Sequence, residues 1–551
     1  RNNNKIHSKT MKKSKIFASL ATAVFGLSML TGCIEETMPA NGTATEKQVG
    51  ESSSATDALV MAMPAYCHTV TWDDRHMCFG YGAMMHIRDL QTGDAVMKFS
   101  GSGYDSWFNK WTQNKYMGQD YFYAQYLWIY HWKFMQTVNN VISAINPETA
   151  TNEQVGQLGA AYAYRALLYL DLARMYEFLP NDKTSSVNED GNDISGLTVP
   201  IVKAGMSEAD ARNNPRATHE EMVKFIEEDL DLAEQYIVNL TDSKGKVLPT
   251  LACAYGLKAR LYMWDGNYPK AQEYARKAID NAGINPMTQQ QCMNTTTGFN
   301  VADPWMWGAQ QAVTNRTVTS GIINWTSWVC NETTFGYASA EPAFMIDRSF
   351  YERISDTDFR KLMFKAPAGS PLENQVVYLK PNYKTSVPEY GSLKFRPGNG
   401  NDDNPNEGAC TAYPLMRVEE MYFIEAEAAA HQNAGQGKAL VEKFMKENRD
   451  PNYVCHATST DDVVEEIVFQ KRVELWGEGQ SFFDIKRLNY SVTRGYTGTN
   501  VDDDLARLNT NGRPAWMNWV IVQLEGESNE ALVGKNNPDP SDKYTPWVEN
   551  K

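Results

Sequence analysis

The sequence predicts a mostly α-helical protein in which antiparallel helix pairs pack against an irregular, loop-rich region. Three observations predict this. Apolar residues recur at spacings of three and four in several long stretches, the period of a helix with one buried face. Thr250–Ala282 contains two such stretches joined by the turn Asp265-Gly266-Asn267-Tyr268. Asn285–Tyr413 has no such period and is rich in Thr, Asn, Gly, Pro and Trp. A loop-dominated stretch that long inside a folded chain is usually functional.

The helical stretches run in order. Asp120–Ile145 puts Tyr123, Tyr126, Tyr130, Phe134 and Val138 on one face. Thr151–Phe178 carries Ala160, Ala163, Leu167, Leu170 and Ala173, and Pro180 stops it. Thr218–Leu240 opens with Thr218 and Glu221 at capping-box spacing. Pro414–Ala434 and Ser459–Arg487 complete the set. Within Thr250–Ala282, Ala259 and Tyr262 lie on the first helix and Tyr268, Ala271, Ala275 and Ala278 on the second. Small residues at those offsets let two helices approach closely while an aromatic fills the gap. The pair resembles a tetratricopeptide repeat, and about four divergent pairs of this kind fit the chain.

The N-terminus reads as an export signal. Arg1–Thr10 carries no pattern and reads as sequence upstream of a start at Met11. Lys12, Lys13 and Lys15 precede an apolar run, Ile16–Leu30, which is too short to span a bilayer comfortably. Leu30-Thr31-Gly32-Cys33 resembles a lipobox, which makes Cys33 the lipidated first residue of the mature protein. The expected organisation is a cleaved segment 1–32, a lipidated flexible tether 33–56, and one domain 57–551. Its helix pairs lie mainly in 120–282 and 414–487, and its loop-rich region in 285–413.

All six basic side chains before Cys33 are lost on cleavage, and no acidic ones. The mature chain is therefore more acidic than the net −15 of the whole sequence. That argues against nucleic acid or anionic lipid as a direct ligand. Beyond Cys33 the chain has Cys67, Cys78, Cys253, Cys292, Cys330, Cys410 and Cys455, an odd set with no paired short spacing. No disulfide framework is read, although one bridge stays open. Cys67-His68 with His76-Met77-Cys78 fits no usual zinc module, so no metal and no cofactor are expected. The sequence has no His-Glu-x-x-His, no Gly-x-Ser-x-Gly elbow and no phosphate-cradling Gly-Lys loop, so no catalytic residues are assigned. The pairs Glu419-Glu420 and Glu425/Glu427 sit on helical motifs and read as solvated faces.

Four segments, taken in order behind a lipobox, resemble the SusD/RagB family of Bacteroidetes outer-membrane nutrient-binding lipoproteins. They are Met84-Met85-His86-Ile87-Arg88-Asp89; Ala161–Leu167 continuing to Leu172-Ala173-Arg174-Met175-Tyr176; Leu257–Trp264 with Gly266-Asn267-Tyr268; and Pro414–Met421 with Glu425–Ala428, followed by Arg472, Glu474-Leu475, Glu478-Gly479 and Phe483–Arg487. Gln470 and Gln480-Ser481 depart from the family pattern. The resemblance implies a SusD-like fold and a SusC-like TonB-dependent transporter as partner. It also implies an outer-membrane, cell-surface position, which Glu35 and Glu36 after Cys33 suit as an export signal.

A sugar ring presents an apolar, slightly positive C–H face that stacks on an indole, and its hydroxyls need planar donors and acceptors. The segment Tyr104–Trp111 supplies both, through Tyr104, Asp105, Trp107, Asn109 and Trp111. That segment lies in Gln91–Gln119, a first stretch that resists a helical reading, and Trp305, Trp307, Trp325 and Trp328 add indoles in the second irregular stretch, Asn285–Tyr413. These nine residues are the expected ligand site, and an oligosaccharide the expected ligand. The alternative for each loop indole is that it caps the helical core. Competing functions are a peptide-binding member of the same family, a scaffold lipoprotein with no small ligand, and a lipoprotein glycosidase. The Asp347–Arg360 run of Asp and Arg reads as a structural ion-pair turn.

Overall fold

The computed structural model describes residues 50, 52–72, 75–296, 298–505 and 507–549. Cys33, the segment before it and nearly all of the tether lie outside the described residues. The first described helix, α1 (Ser53–Tyr66), begins where the tether was expected to continue. Ser52 starts it, accepting a hydrogen bond from the Ala55 N–H at 3.4 Å. Next is α2 (Tyr81–Leu90), entered through Gly80 at φ 87°, where a Cβ would lie 2.2 Å from the Cys67 carbonyl.

The body is a helical array: α3 (Phe122–Ala144), α4 (Asn152–Tyr176), α5 (His219–Ile237), α6 (Leu251–Asp265), α7 (Tyr268–Ala282), α8 (Val418–Gln432), α9 (Ala434–Asn448) and α10 (Thr460–Glu474). Each helix through α9 packs on the next, and α10 packs on α8 and α9. Few strands occur, so the predicted mostly helical class holds. Glycines allow the tightest contacts. A Cβ on Gly159 of α4 would come within 2.5 Å of the Ile237 nitrogen at the end of α5. The expected capping box forms at α5, with Thr218 accepting from Glu221 N–H at 3.2 Å and Glu221 accepting from Thr218 N–H at 2.9 Å.

Three boundaries differ from the sequence reading. Residues Ala412–Met416 form strand β4, so α8 starts at Val418 and Pro414 lies in a strand. Helix α9 follows Gln432 after a single residue and escapes periodicity because Gly435 and Gly437 open it. Gly437 sits there because a Cβ would lie 2.3 Å from that of Ala430 on α8. Ser459–Arg487 is two helices, α10 and α11 (Ser481–Arg487), separated by Gly477 and Gly479 at positive φ.

The charges of the family-like segments are internal. Glu420 pairs with Arg260 at 2.6 Å, Glu427 with Arg487 at 2.7 Å, and Glu425 with Arg276; Glu419 accepts the Met287 N–H at 2.7 Å. The expected solvated acidic faces are therefore buried, and each carboxylate joins two elements. Glu474 lies between Arg417 at 2.6 Å and Arg449 at 2.7 Å. Burial opposes ionisation of Glu474, but the two guanidiniums outweigh it and hold the carboxyl well below its ordinary range. Asp358 and Arg360 pair at 2.7 Å, as the structural reading of that turn expects.

Between α7 and α8 lies the irregular layer, in which no helix among the described residues exceeds six residues. Two short antiparallel ladders tie it down. Strand β1 (Ala95–Met97) pairs with β3 (Phe344–Ile346), and β2 (Trp307–Gln310) with β4. The first ladder brings the two non-helical stretches together, pairing Ala95 with Ile346 and Met97 with Phe344.

Candidate functional site

Where the two stretches meet, aromatic rings form a layered platform. Tyr104 and Trp107 lie in one 3-10 turn, Tyr104–Trp107. Tyr104 is 45% exposed and Trp107 half-buried. The Trp107 indole lies face to face on the His76 imidazole, with centroids 4.9 Å apart and planes at 19°. His76 Nδ1 hydrogen-bonds the Tyr337 hydroxyl. Tyr104 meets Tyr337 edge-on at 5.4 Å, and Tyr337 stacks on buried Trp328 at 4.2 Å and 17°. Trp328 in turn donates its indole N–H to the His76 carbonyl at 3.1 Å and abuts Phe108 at 4.7 Å.

This arrangement makes a rigid hydrophobic floor with polar edges. Burial pushes the Tyr337 phenol up, so it stays a neutral donor and acceptor near neutral pH. The Asn109 side-chain oxygen is buried and accepts no hydrogen bond among the described residues. Arg75, next in sequence to His76, stands 3.9 Å over the Phe122 ring, and exposed Tyr116 and Tyr121 pair at 5.0 Å. Aromatic faces flanked by amide and guanidinium groups suit a ligand with an apolar face and polar edges.

Trp111, Trp305, Trp307, Trp325 and Trp328 are corrected by the structure. Each is at most 1% exposed, so none offers a face to a ligand in this conformation. Their segments are irregular but covered. Trp307 packs edge-on against Tyr164 of α4 at 4.8 Å and donates to the Val247 carbonyl at 3.1 Å. Trp325 packs against Phe395 at 4.6 Å, and Trp111 against Tyr123 at 5.0 Å. Trp111 and Trp307 cap the helical core, the alternative reading of a loop indole, while Trp328 lies beneath the platform. The side chain of Asp105 lies outside the described residues. His76 and Tyr337 were not among the expected site residues. Tyr337 could have been reached by extending the Asn324–Trp328 aromatic run into Phe335-Gly336-Tyr337.

A family profile described as starch-binding associating with outer membrane matches residues 82–263, and one described as the SusD family matches 323–533. Together they span well over half of the chain. The chain belongs to the SusD/RagB family. A curated SusD-like protein of Formosa agariphila, SusD-like protein P2, is 22% identical over 405 residues, 69% of this chain and 74% of that protein. A solved SusD-like carbohydrate-binding protein of Bacteroides vulgatus superposes with a TM-score of 0.67 at 22% identity, over 88% of this chain and 97% of that one. The surface glycan-binding protein A of Bacteroides uniformis superposes with a TM-score of 0.61 at 16% identity, over 88% and 99%. These likenesses show the SusD fold. The profile description places the family at the outer membrane. Among the described residues no helix is long and apolar enough to cross a membrane.

Proposed function

We propose that this SusD-family chain is a non-catalytic, lipid-anchored surface protein that captures oligosaccharides and delivers them to a SusC-like TonB-dependent transporter. The observation that carries the reading is the platform of Tyr104 and Trp107 on His76, Tyr337 and Trp328. A pre-stacked indole costs little entropy when a sugar ring covers it, so binding energy is not spent on ordering. The platform is partly exposed and its floor is held by stacking, which suits reversible capture and release. The names of the relatives from Bacteroides vulgatus and Bacteroides uniformis point to the same ligand class. Lipidation at Cys33 and a cell-surface position complete the reading, since a capture protein must reach glycan outside the cell.

A glycan array probed with the mature chain tests it. At least one oligosaccharide class should bind, no new reducing ends should form, and Trp107→Ala should weaken the signal. A silent array, or release of reducing ends by the pure protein, would count against the reading. Gentle detergent extraction should recover the protein with a barrel partner, in a complex with two copies of each chain.

A further inference from the structure

A second feature lies at the other end of the segment that carries the platform. An open cleft of about 400 Å³ is lined by Gln113, Asp504, Arg507, Tyr544, Trp547 and Glu549 among others. Gln113 ends the short helix Asn109–Gln113, which starts two residues after Trp107. At the rise of a helix the two points lie on the order of 10 Å apart, within reach of one oligosaccharide.

The cleft is a held shape. Strands β5 (Leu508–Asn509) and β6 (Thr545–Pro546) pair antiparallel, and the Trp547 N–H donates to the Arg507 carbonyl at 2.9 Å. Trp547 presses on Gly495, where a Cβ would lie 2.3 Å from its own Cβ. Arg507 donates to the Val501 carbonyl at 2.7 Å and pairs with Asp503 at 2.6 Å, with its guanidinium 5.9 Å from the Trp547 ring centre. The half-buried indole is thus oriented from three sides.

Charge decides the ligand class. The wall carries the carboxylates of Asp503, Asp504 and Glu549 against Arg507 and Lys115, and Arg507 is already paired. A phosphate, sulfate or uronate would meet excess negative charge. A neutral sugar would find an indole face, a phenol, an amide and carboxylate acceptors for its hydroxyls. We propose that this cleft is a second sugar-binding subsite for a neutral oligosaccharide, holding one end of a chain whose other end lies on the Tyr104–Trp107 platform. The ligand class rests on the glycan-binding reading above.

Hydroxyl-radical footprinting of the full mature chain separates the two sites, because Trp107 and Trp547 report independently. The probes are neutral disaccharides and hexasaccharides from starch, β-glucan, mannan, xylan and fructan. A hexasaccharide should lower oxidation at both indoles, at Trp547 by roughly threefold when about two-thirds of sites are filled. Trp547→Ala and Asp504→Ala should each weaken hexasaccharide binding several-fold while protection at Trp107 persists. Asp504→Ala removes only an exposed carboxylate, so it stays informative if Trp547→Ala disturbs the β5–β6 pair. Protection of Trp107 alone by every probe overturns the cleft and leaves the platform standing. Protection of Trp547 alone leaves the cleft and overturns the platform, and protection of neither overturns both.

Discussion

Arg260 of α6 reaches across to Glu420 of α8 with two parallel hydrogen bonds, Nε at 2.7 Å and Nη2 at 2.6 Å, and both side chains are nearly inaccessible. The same Nη2 also donates to the Leu415 carbonyl at 2.8 Å, so one guanidinium fixes a helix and the strand before it. Two motif residues 160 positions apart in sequence thereby clamp the helices on either side of the irregular layer.

Removing one partner leaves the other charge buried and unpaired. Glu420→Ala should therefore cost about 3–5 kcal/mol, whereas replacing both residues by apolar side chains of similar volume should recover most of the loss. Urea unfolding followed by far-UV circular dichroism measures both. A single variant as stable as the parent would show that the pair is not buried as described.

The buried indoles give a second expectation. Trp307→Ala should destabilise the fold by roughly 3–5 kcal/mol through loss of packing and the cavity left behind. Any protein that stays folded should bind glycan normally, because Trp307 faces Tyr164 and not the platform. Trp328→Ala should lower both stability and affinity, because Tyr337 and the His76 carbonyl rest on it. Equal affinity loss in the two variants would contradict this division.

Buried imidazoles set a pH dependence. Burial pulls His68 and His86 down to about 3 and His131 to about 4, so all three are neutral when folded. The unfolded chain binds their protons first, near pH 6.5, so stability is full above that pH and falls as pH drops from about 6.5 toward about 3. His219 acts in the opposite direction. Burial lowers its affinity for a proton, but its bonds to Glu177 and Asp265 outweigh this and raise it. Unfolding free energy measured between pH 7 and pH 5 should decrease with acid, and His86→Leu should shallow the slope by up to about 1.4 kcal/mol per pH unit. A flat profile would contradict the neutral core histidines.

Helices were legible where one face is continuously apolar, as in α3 and α5, and where a cap marks the start, as at Thr218. Helix α9 was hidden because its close contact with α8 needs glycines, which sequence reading treats as breakers. The charged motifs Arg260, Glu420, Glu474 and Arg487 were visible as family marks. Their burial was not, since a carboxylate reads as exposed until its guanidinium partner, here 160 or 60 residues away, is placed. At the site, irregular backbone suggests exposure, yet five indoles in it are at most 1% exposed. Loop indoles here are covered by helices, as Trp307 is by Tyr164, or by other loops, as Trp325 is by Phe395, so exposure depends on tertiary packing that composition does not encode. Tyr104 stays exposed and Trp107 half-buried in their short 3-10 turn. His76 has no aromatic residue directly beside it in sequence to mark it, and joins the site through its stacking on Trp107.

The central claim is that Tyr104 and Trp107 hold a sugar ring. Its most direct measurement is calorimetric titration of the strongest oligosaccharide from the array into the parent chain and into Tyr104→Ala/Trp107→Ala, with melting temperature recorded on the same samples. The account predicts that affinity falls roughly tenfold or more, since each stack contributes about 1 kcal/mol beyond area burial, while the melting temperature shifts by only a few degrees. Unchanged affinity in a folded double variant would contradict it and move the site elsewhere on the protein.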